Sequence, residues 1–70
     1  MRTRFLRISA VEARTGLSRS TIYEWSAAGR FPPPVRLSDR VVRWVESEVE
    51  EWIRERIERR RAAAPATTRN

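Results

Sequence analysis

The start of the chain shows an alternating apolar pattern followed by a helix-capping pattern. Leu6 and Ile8 stand two positions apart, which predicts a very short strand within an extended lead-in over residues 1–8. Ser9 and Glu12 then have the spacing of a capping box, in which the serine oxygen accepts an N–H three residues later and the glutamate reaches back. This pair predicts that the first helix begins at Ser9.

A tight turn is predicted at residues 15–18. Gly16 supplies a C-terminal cap for the first helix, whose inward residues are predicted to be Val11 and an alanine. Ser18 follows the apolar Leu17 and is the predicted N-cap of a second helix. Two short helices joined by such a turn form a helix-turn-helix.

The second helix is predicted over residues 18–28, with Gly29 ending it. Ile22 and Trp25 lie three positions apart and therefore share one face. The positions that this spacing leaves outside the apolar stripe are Arg19, Ser20, Tyr23, Glu24 and Ala27. The prolines at positions 32–34 exclude helix and predict a stiff connection.

Two alternating runs, 35–37 and 41–44, flank Ser38-Asp39-Arg40 and predict a hairpin. A loop of two or four residues would place four apolar side chains on one face, namely Val35, Leu37, Val42 and Trp44. A three-residue loop would pair Val35 with Arg43 and break that pattern. Because the turn has no glycine, which two-residue loops favour, we expect four residues with Arg40 near the tip.

The last helix is predicted from near Glu46 to Arg60 or beyond, since the apolar residues that follow have helical spacing: Val45, Val49, Trp52, Ile53 and Ile57. The sequence predicts one domain over residues 1–61 and a disordered tail over 62–70. The predicted fold is mainly α with a small β-hairpin, a winged helix-turn-helix of three helices plus a two-stranded wing. The predicted core joins Trp25, Trp44 and Trp52 to Leu17, Ile22, Val49 and Ile53.

Composition excludes several classes of site. The 70 residues include no cysteine and no histidine, so disulfides, Cys/His zinc sites and Ser-His or Cys-His triads cannot form. We expect no enzymatic activity, no cofactor, no metal and no small-molecule ligand. No stretch approaches the roughly 20 apolar residues of a membrane span, and no signal-peptide pattern is present. We therefore expect a cytoplasmic protein without a membrane partner.

The charged residues are distributed unevenly. The net charge is +6, and every cationic side chain is an arginine. Residues 1–44 carry nine arginines against three acids, residues 45–58 carry six glutamates against two arginines, and residues 59–70 carry four arginines and no acid. A basic body that can face a polyanion is thus followed by an acidic helix and a basic end.

The strings that carry a family resemblance are Thr15–Tyr23, Gly29–Pro32, Pro34–Leu37, Arg40, Trp44, Glu46–Val49 and Trp52–Ile53. They resemble the AlpA family of phage regulatory proteins, and the match covers residues 6–57, most of the chain. That family is similar to phage excisionases and, more distantly, to the DNA-binding part of MerR regulators. The resemblance implies a winged helix-turn-helix that binds DNA as a transcription regulator or as a recombination directionality factor.

The candidate DNA-binding residues are Ser18, Arg19, Ser20, Thr21, Tyr23, Arg36, Arg40 and Arg43. A helix N-terminus offers free N–H groups to a phosphate, and short polar side chains beside it can approach base edges. Arginines in a wing suit a narrow minor groove, for which Arg40 is best placed. The alternatives are capping for Ser18 and Thr21, half-buried packing for Tyr23, and solvated surface charge for Arg19, Arg36 and Arg43.

The predicted function is sequence-specific binding of double-stranded DNA, with helix 18–28 in the major groove and wing 35–44 on the minor groove or backbone. The expected role is a phage or mobile-element regulator, an excisionase, or both. An integrase and further copies of the chain are the expected protein partners. The alternative is a protein-interaction module that uses the acidic helix 46–58. The acidic sign of that helix disfavours a membrane surface, and the lack of an aromatic platform disfavours RNA.

Overall fold

The computed structural model of the protein describes residues 3–63. Six elements follow one another in the order β1 (Phe5–Leu6), α1 (Ile8–Thr15), α2 (Arg19–Ala27), β2 (Val35–Arg36), β3 (Val42–Val45) and α3 (Glu46–Ala63). Three helices with an antiparallel hairpin confirm the predicted fold class of a winged helix-turn-helix. Strand β1 also pairs with β3, so the hairpin belongs to a three-stranded sheet in the order β1-β3-β2.

The turn between α1 and α2 has the predicted chemistry. Gly16 adopts φ 75°, and its N–H donates to the carbonyl of Glu12 at 2.7 Å, which ends α1. An added Cβ at Gly16 would meet nothing within 4 Å, so crowding does not require glycine here. The left-handed backbone conformation requires it, because other residues adopt a positive φ only with strain. The Thr15 hydroxyl accepts from the N–H of Leu17 at 3.1 Å. These bonds close the turn and set the angle at which α2 leaves α1.

The predicted capping box of α1 is wrong. The helix begins at Ile8, its N-cap is Arg7, and no side chain caps it. The carbonyl of Arg7 instead accepts the N–H groups of Ala10 and Val11 at 3.0 and 3.1 Å. Ile8 packs against the core from the first helical position, so tertiary packing starts the helix before Ser9.

The predicted register of the hairpin is also wrong. Val35 pairs with Arg43 and Arg36 with Val42, which leaves a three-residue loop over residues 38–40. The carbonyl of Val41 accepts the N–H of Leu37 at 2.7 Å, which closes that loop. Side chains directly opposite each other share a face. Val35 and Arg43 therefore lie on one face of the sheet, while Arg36 shares the other with Val42.

The core lies between the sheet and the helices and is filled without strand β2. Its buried side chains are Leu6, Val11, Ile22, Phe31, Trp44 and Val49. Trp25, Trp52, Leu17 and Ile53 pack against this cluster but are half-buried, so only part of the predicted core is fully enclosed. Since both residues of β2 are exposed, the core does not require the apolar side chain of Val35. This explains why the four-residue loop, which was predicted in order to place Val35 on the same face as Trp44, is not formed.

Helix α3 is joined to α1 through ion pairs. The guanidinium of Arg14 contacts Glu46 at 2.7 Å and Glu50 at 2.8 Å. Ile57, the last apolar residue of the helical spacing, is exposed. The helix continues to Ala63, past the predicted domain boundary at residue 61; of the predicted tail, residues 64–70 lie outside the described part. No helix within residues 3–63 is long and apolar enough to cross a membrane.

Candidate nucleic-acid interface

The N-terminus of α2 is built by a reciprocal pair of side chains. The Ser18 oxygen accepts the N–H of Thr21 at 3.2 Å, and the Ser18 hydroxyl donates to the Thr21 hydroxyl at 2.9 Å. Ser18 is therefore the N-cap, as predicted. Its side chain fixes the first turn, where helical N–H groups have no partner within the helix and the dipole favours an anion.

The outer face of α2 presents the residues that the sequence assigned to it. Ile22 is buried and Trp25 is half-buried, which turns their face of the helix toward the core. The exposed residues are Ser18, Arg19, Ser20, Tyr23, Glu24 and Ala27, while Thr21 is half-buried. Five of the eight predicted site residues thus lie together on or beside the first half of one helix.

Tyr23 links α2 to the wing. Its ring meets the ring of Trp44 in β3 edge to face, with centroids 5.4 Å apart and planes at 69°. Tyr23 nevertheless remains 39% exposed. Packing and exposure therefore coexist at this side chain: its ring joins the two candidate regions while part of it stays accessible to a ligand.

The connection between α2 and β2 is anchored by side-chain donors. The carbonyl of Pro32 accepts both the Ser26 hydroxyl and the Trp44 Nε1–H, each at 3.0 Å. Trp52 Nε1 donates to the carbonyl of Arg30 at 2.9 Å. Phe31, between these carbonyls, is buried. The stiff connection therefore ties α2, β3 and α3 to one another, and sequence spacing gave no signal for these bonds.

The three wing arginines lie in different places. Arg40 is exposed in the loop, and Arg36 Nη1 donates to the Asp39 carbonyl at 3.3 Å, across the same loop. Arg43 is half-buried and donates to the Val42 carbonyl at 2.9 Å. Because of the register, Arg36 lies on the sheet face that Val42 and Trp44 share, and Arg43 lies on the opposite face. The structure brings Arg36 and Arg40 together at the loop and sets Arg43 apart.

The acidic half of α3 is partly neutralised by the basic body. Arg14 holds Glu46 and Glu50, and Arg4 approaches Glu46 at 3.8 Å. Glu51 is paired with Arg54 within the helix. Within residues 3–63, no group of three or more acidic residues is arranged to hold a metal ion.

Comparison with known proteins gives one family and two relatives. Residues 4–57 match the family described as prophage CP4-57 regulatory protein (AlpA). An uncharacterized protein, ORF88 of Enterobacteria phage P4, is 52% identical over 54 residues, which are 77% of this chain and 61% of that protein. The chain thus spans less than two thirds of the phage protein. No solved structure matches.

The second relative is the DNA-binding transcriptional activator AlpA of Escherichia coli strain K12. It is 37% identical over an alignment of 59 positions that covers 76% of this chain and 84% of that protein. The family match covers the whole helix-turn-helix, the wing and the first two thirds of α3. On these findings, the chain belongs to the AlpA family of phage regulatory proteins.

Proposed function

We propose that this protein binds double-stranded DNA in a sequence-specific manner and regulates genes of a phage or mobile element without catalysing a reaction. Helix α2 enters the major groove with its N-terminal residues, and the wing contacts the minor groove or the backbone. The observation that carries this proposal is the exposed polar face of α2, held on the core by Ile22 and joined to β3 by the contact between Tyr23 and Trp44.

Each candidate residue has a distinct role in this proposal. Arg19, Ser20 and Thr21 approach base edges, because a major groove admits an α-helix and exposes donors and acceptors to short side chains. Ser18 and the free N–H groups of the first turn receive a phosphate. Tyr23, at the centre of the face, contacts the backbone through its exposed edge.

The wing contributes an electrostatic contact. Arg40 lies in the loop beside Arg36, and both are exposed. A narrow minor groove has an enhanced negative potential, which attracts arginine. We assign Arg43 a weaker role in DNA binding, because its side chain lies on the other face of the sheet and is half-buried.

Two regulatory roles fit this activity: control of transcription and control of excision in cooperation with an integrase. The relative from Escherichia coli, described as a transcriptional activator, favours the first. For the second, several copies would bind side by side on repeated sites. The exposed glutamates on α3 of one copy, at positions 48, 50, 51, 55 and 58, would face the exposed arginines at 59–61 of its neighbour, since these charges are opposite.

Footprinting and sedimentation on genomic fragments from around the gene test the proposal. We expect protection of defined sites and weaker binding to scrambled duplexes of the same length. Retardation of every duplex with equal affinity would remove sequence specificity, and no retardation at low salt would favour a protein-interaction module on helix 46–58. One copy per natural fragment, without cooperativity or bending, would remove the side-by-side arrangement.

A further inference from the structure

The three-stranded sheet is apolar on both faces. On the inner face, Leu6 lies opposite Trp44, and both are buried in the core. On the outer face, Phe5 lies opposite Val45. The register set by the three-residue loop places Val35 and Leu37 on this face as well. An antiparallel sheet with one solvated face normally alternates apolar and polar side chains. The composition of these strands therefore suits a sheet that is covered on both sides.

The strand register places six residues on the outer sheet face, of which all but one are apolar: Phe5, Val35, Leu37, Val41, Arg43 and Val45. Phe5 is 44% exposed, Val35 36% and Leu37 48%, whereas Val41 and Val45 are half-buried. Within residues 3–63, these are three of the five large apolar side chains that are exposed. Isolated exposed apolar residues are ordinary, but a contiguous patch marks an interaction surface.

The charge on this face indicates the occupant. Arg43 lies between the two apolar ends of the patch, and the strand positions around it carry no acidic side chain. A second copy that used the same face would bring two Arg43 guanidinium groups together near the symmetry axis. Helix α3 of a second copy could offer its exposed Ile57 to this face. Three arginines lie one turn from Ile57 and would be brought toward Arg43: Arg54, Arg60 and Arg61.

We propose that the outer sheet face docks a segment of a different protein, one that presents aliphatic side chains together with carboxylates. The aliphatic groups cover Phe5, Val35 and Leu37, and a carboxylate pairs with Arg43. Trp44, which contacts α2 through Tyr23, points to the opposite face. Under the proposed function, the same molecule can therefore hold DNA with α2 and a protein with the sheet at one time.

The test is an NMR titration of the labelled full chain with two synthetic amphipathic helices. Both peptides carry the same leucine stripe, flanked by glutamates in one and by lysines in the other. We expect the glutamate peptide to shift the amide signals of Phe5, Val35, Leu37 and Val45. The lysine peptide should bind at least about tenfold more weakly, because Arg43 repels it. Equal binding of the two peptides, or shifts confined to other elements, would overturn the proposal.

Variants of exposed residues sharpen the test. Leu37→Ser should weaken the glutamate peptide at least about tenfold, whereas Ile57→Ser, which changes a side chain of similar exposure (43%) on α3, should not. Arg43→Gln should reduce the difference in affinity between the glutamate peptide and the lysine peptide. Equal effects of Leu37→Ser and Ile57→Ser would contradict the assignment. Self-association of the chain alone that Leu37→Ser abolishes would also overturn it, since a second copy would then be the occupant.

A DNA arm separates this proposal from the proposed function. Phe5→Ser should weaken the glutamate peptide as Leu37→Ser does, yet bind a target duplex as the unchanged chain does, because Phe5 lies in β1, outside the wing, on the sheet face opposite Trp44. Loss of peptide binding with unchanged DNA binding supports the docking face. Absence of DNA binding in every variant, with intact peptide binding, would remove the proposed function and leave the docking face standing.

Discussion

The first turn of α2 and the tip of the wing both present polar and basic side chains to solvent, but they are held by different means. Residues 18–21 begin a helix whose next residue, Ile22, is buried in the core. Residues 38–40 form an exposed loop whose base is closed by the 2.7 Å bond from the Leu37 N–H to the Val41 carbonyl. None of these three side chains is buried, so packing against the core does not fix their positions.

This difference assigns different tasks to the two regions. Reading a base edge requires a donor and an acceptor in fixed positions, and side chains on packed helices are placed more accurately than those on loops. An attraction between arginine and a minor groove tolerates movement of the loop, because it acts through charge. We therefore expect α2 to carry specificity and the wing to carry affinity that depends on salt.

The largest expected effect comes from the residue that joins the two regions. Trp44 is fully buried, contacts Tyr23, and donates to the Pro32 carbonyl. Trp44→Ala should lower the free energy of unfolding by about 3–5 kcal/mol, enough to unfold a domain this small. Thermal unfolding followed by circular dichroism measures the loss. Trp52→Ala, at a half-buried site, should cost less, and the reverse order would contradict the packing described.

A smaller effect is expected from the cap of α2. Ser18→Ala removes the acceptor for the Thr21 N–H and should lower the free energy of unfolding by about 1 kcal/mol. Ser18→Gly is the matched control, because glycine is tolerated at an N-cap and should lower the free energy of unfolding by only about a few tenths of a kcal/mol. Denaturant unfolding of both variants gives the comparison. Equal stability of Ser18→Ala and the unchanged chain would mean that the cap does not fix this turn.

The smallest expected effect lies in the wing. Arg40→Ala should weaken binding to target and scrambled duplexes alike, with a salt-dependence slope about one unit shallower, because one cationic contact with the minor groove or backbone is lost. Fluorescence anisotropy at several salt concentrations gives the slope. Arg54→Ala removes an exposed arginine that pairs with Glu51 within α3 and is the control, with an expected slope equal to that of the unchanged chain. A loss confined to the target duplex would assign base reading to Arg40 instead.

Local signals in the sequence predicted the parts of the fold that depend on local chemistry. Gly16 and Ser18 marked the turn and the start of α2, and apolar spacing marked α3. The hairpin register could not be read in this way, because a turn without glycine does not fix its own length. The predicted four-residue loop assumed that Val35 shares the buried face of Trp44, yet the core is complete without Val35.

Long-range contacts were also beyond the sequence. The pairing of β1 with β3 and the burial of Phe31 depend on how distant segments meet. The bonds that the Trp44 and Trp52 indoles make to connector carbonyls depend on the same meeting. The candidate residues around the start of α2 were predicted as a group because they occupy neighbouring positions at one end of a short helix. The wing arginines were not separated by face, since that needed the register.

The central claim, that α2 reads sequence, is tested most directly by binding of Arg19→Ala to a target duplex and to a scrambled one. Arg19 is exposed at the first position of α2. If it contacts a base edge, the variant should lose about 1–3 kcal/mol on the target duplex and much less on the scrambled one. Equal losses on both duplexes would show that Arg19 contacts phosphate alone and would contradict its base-reading role.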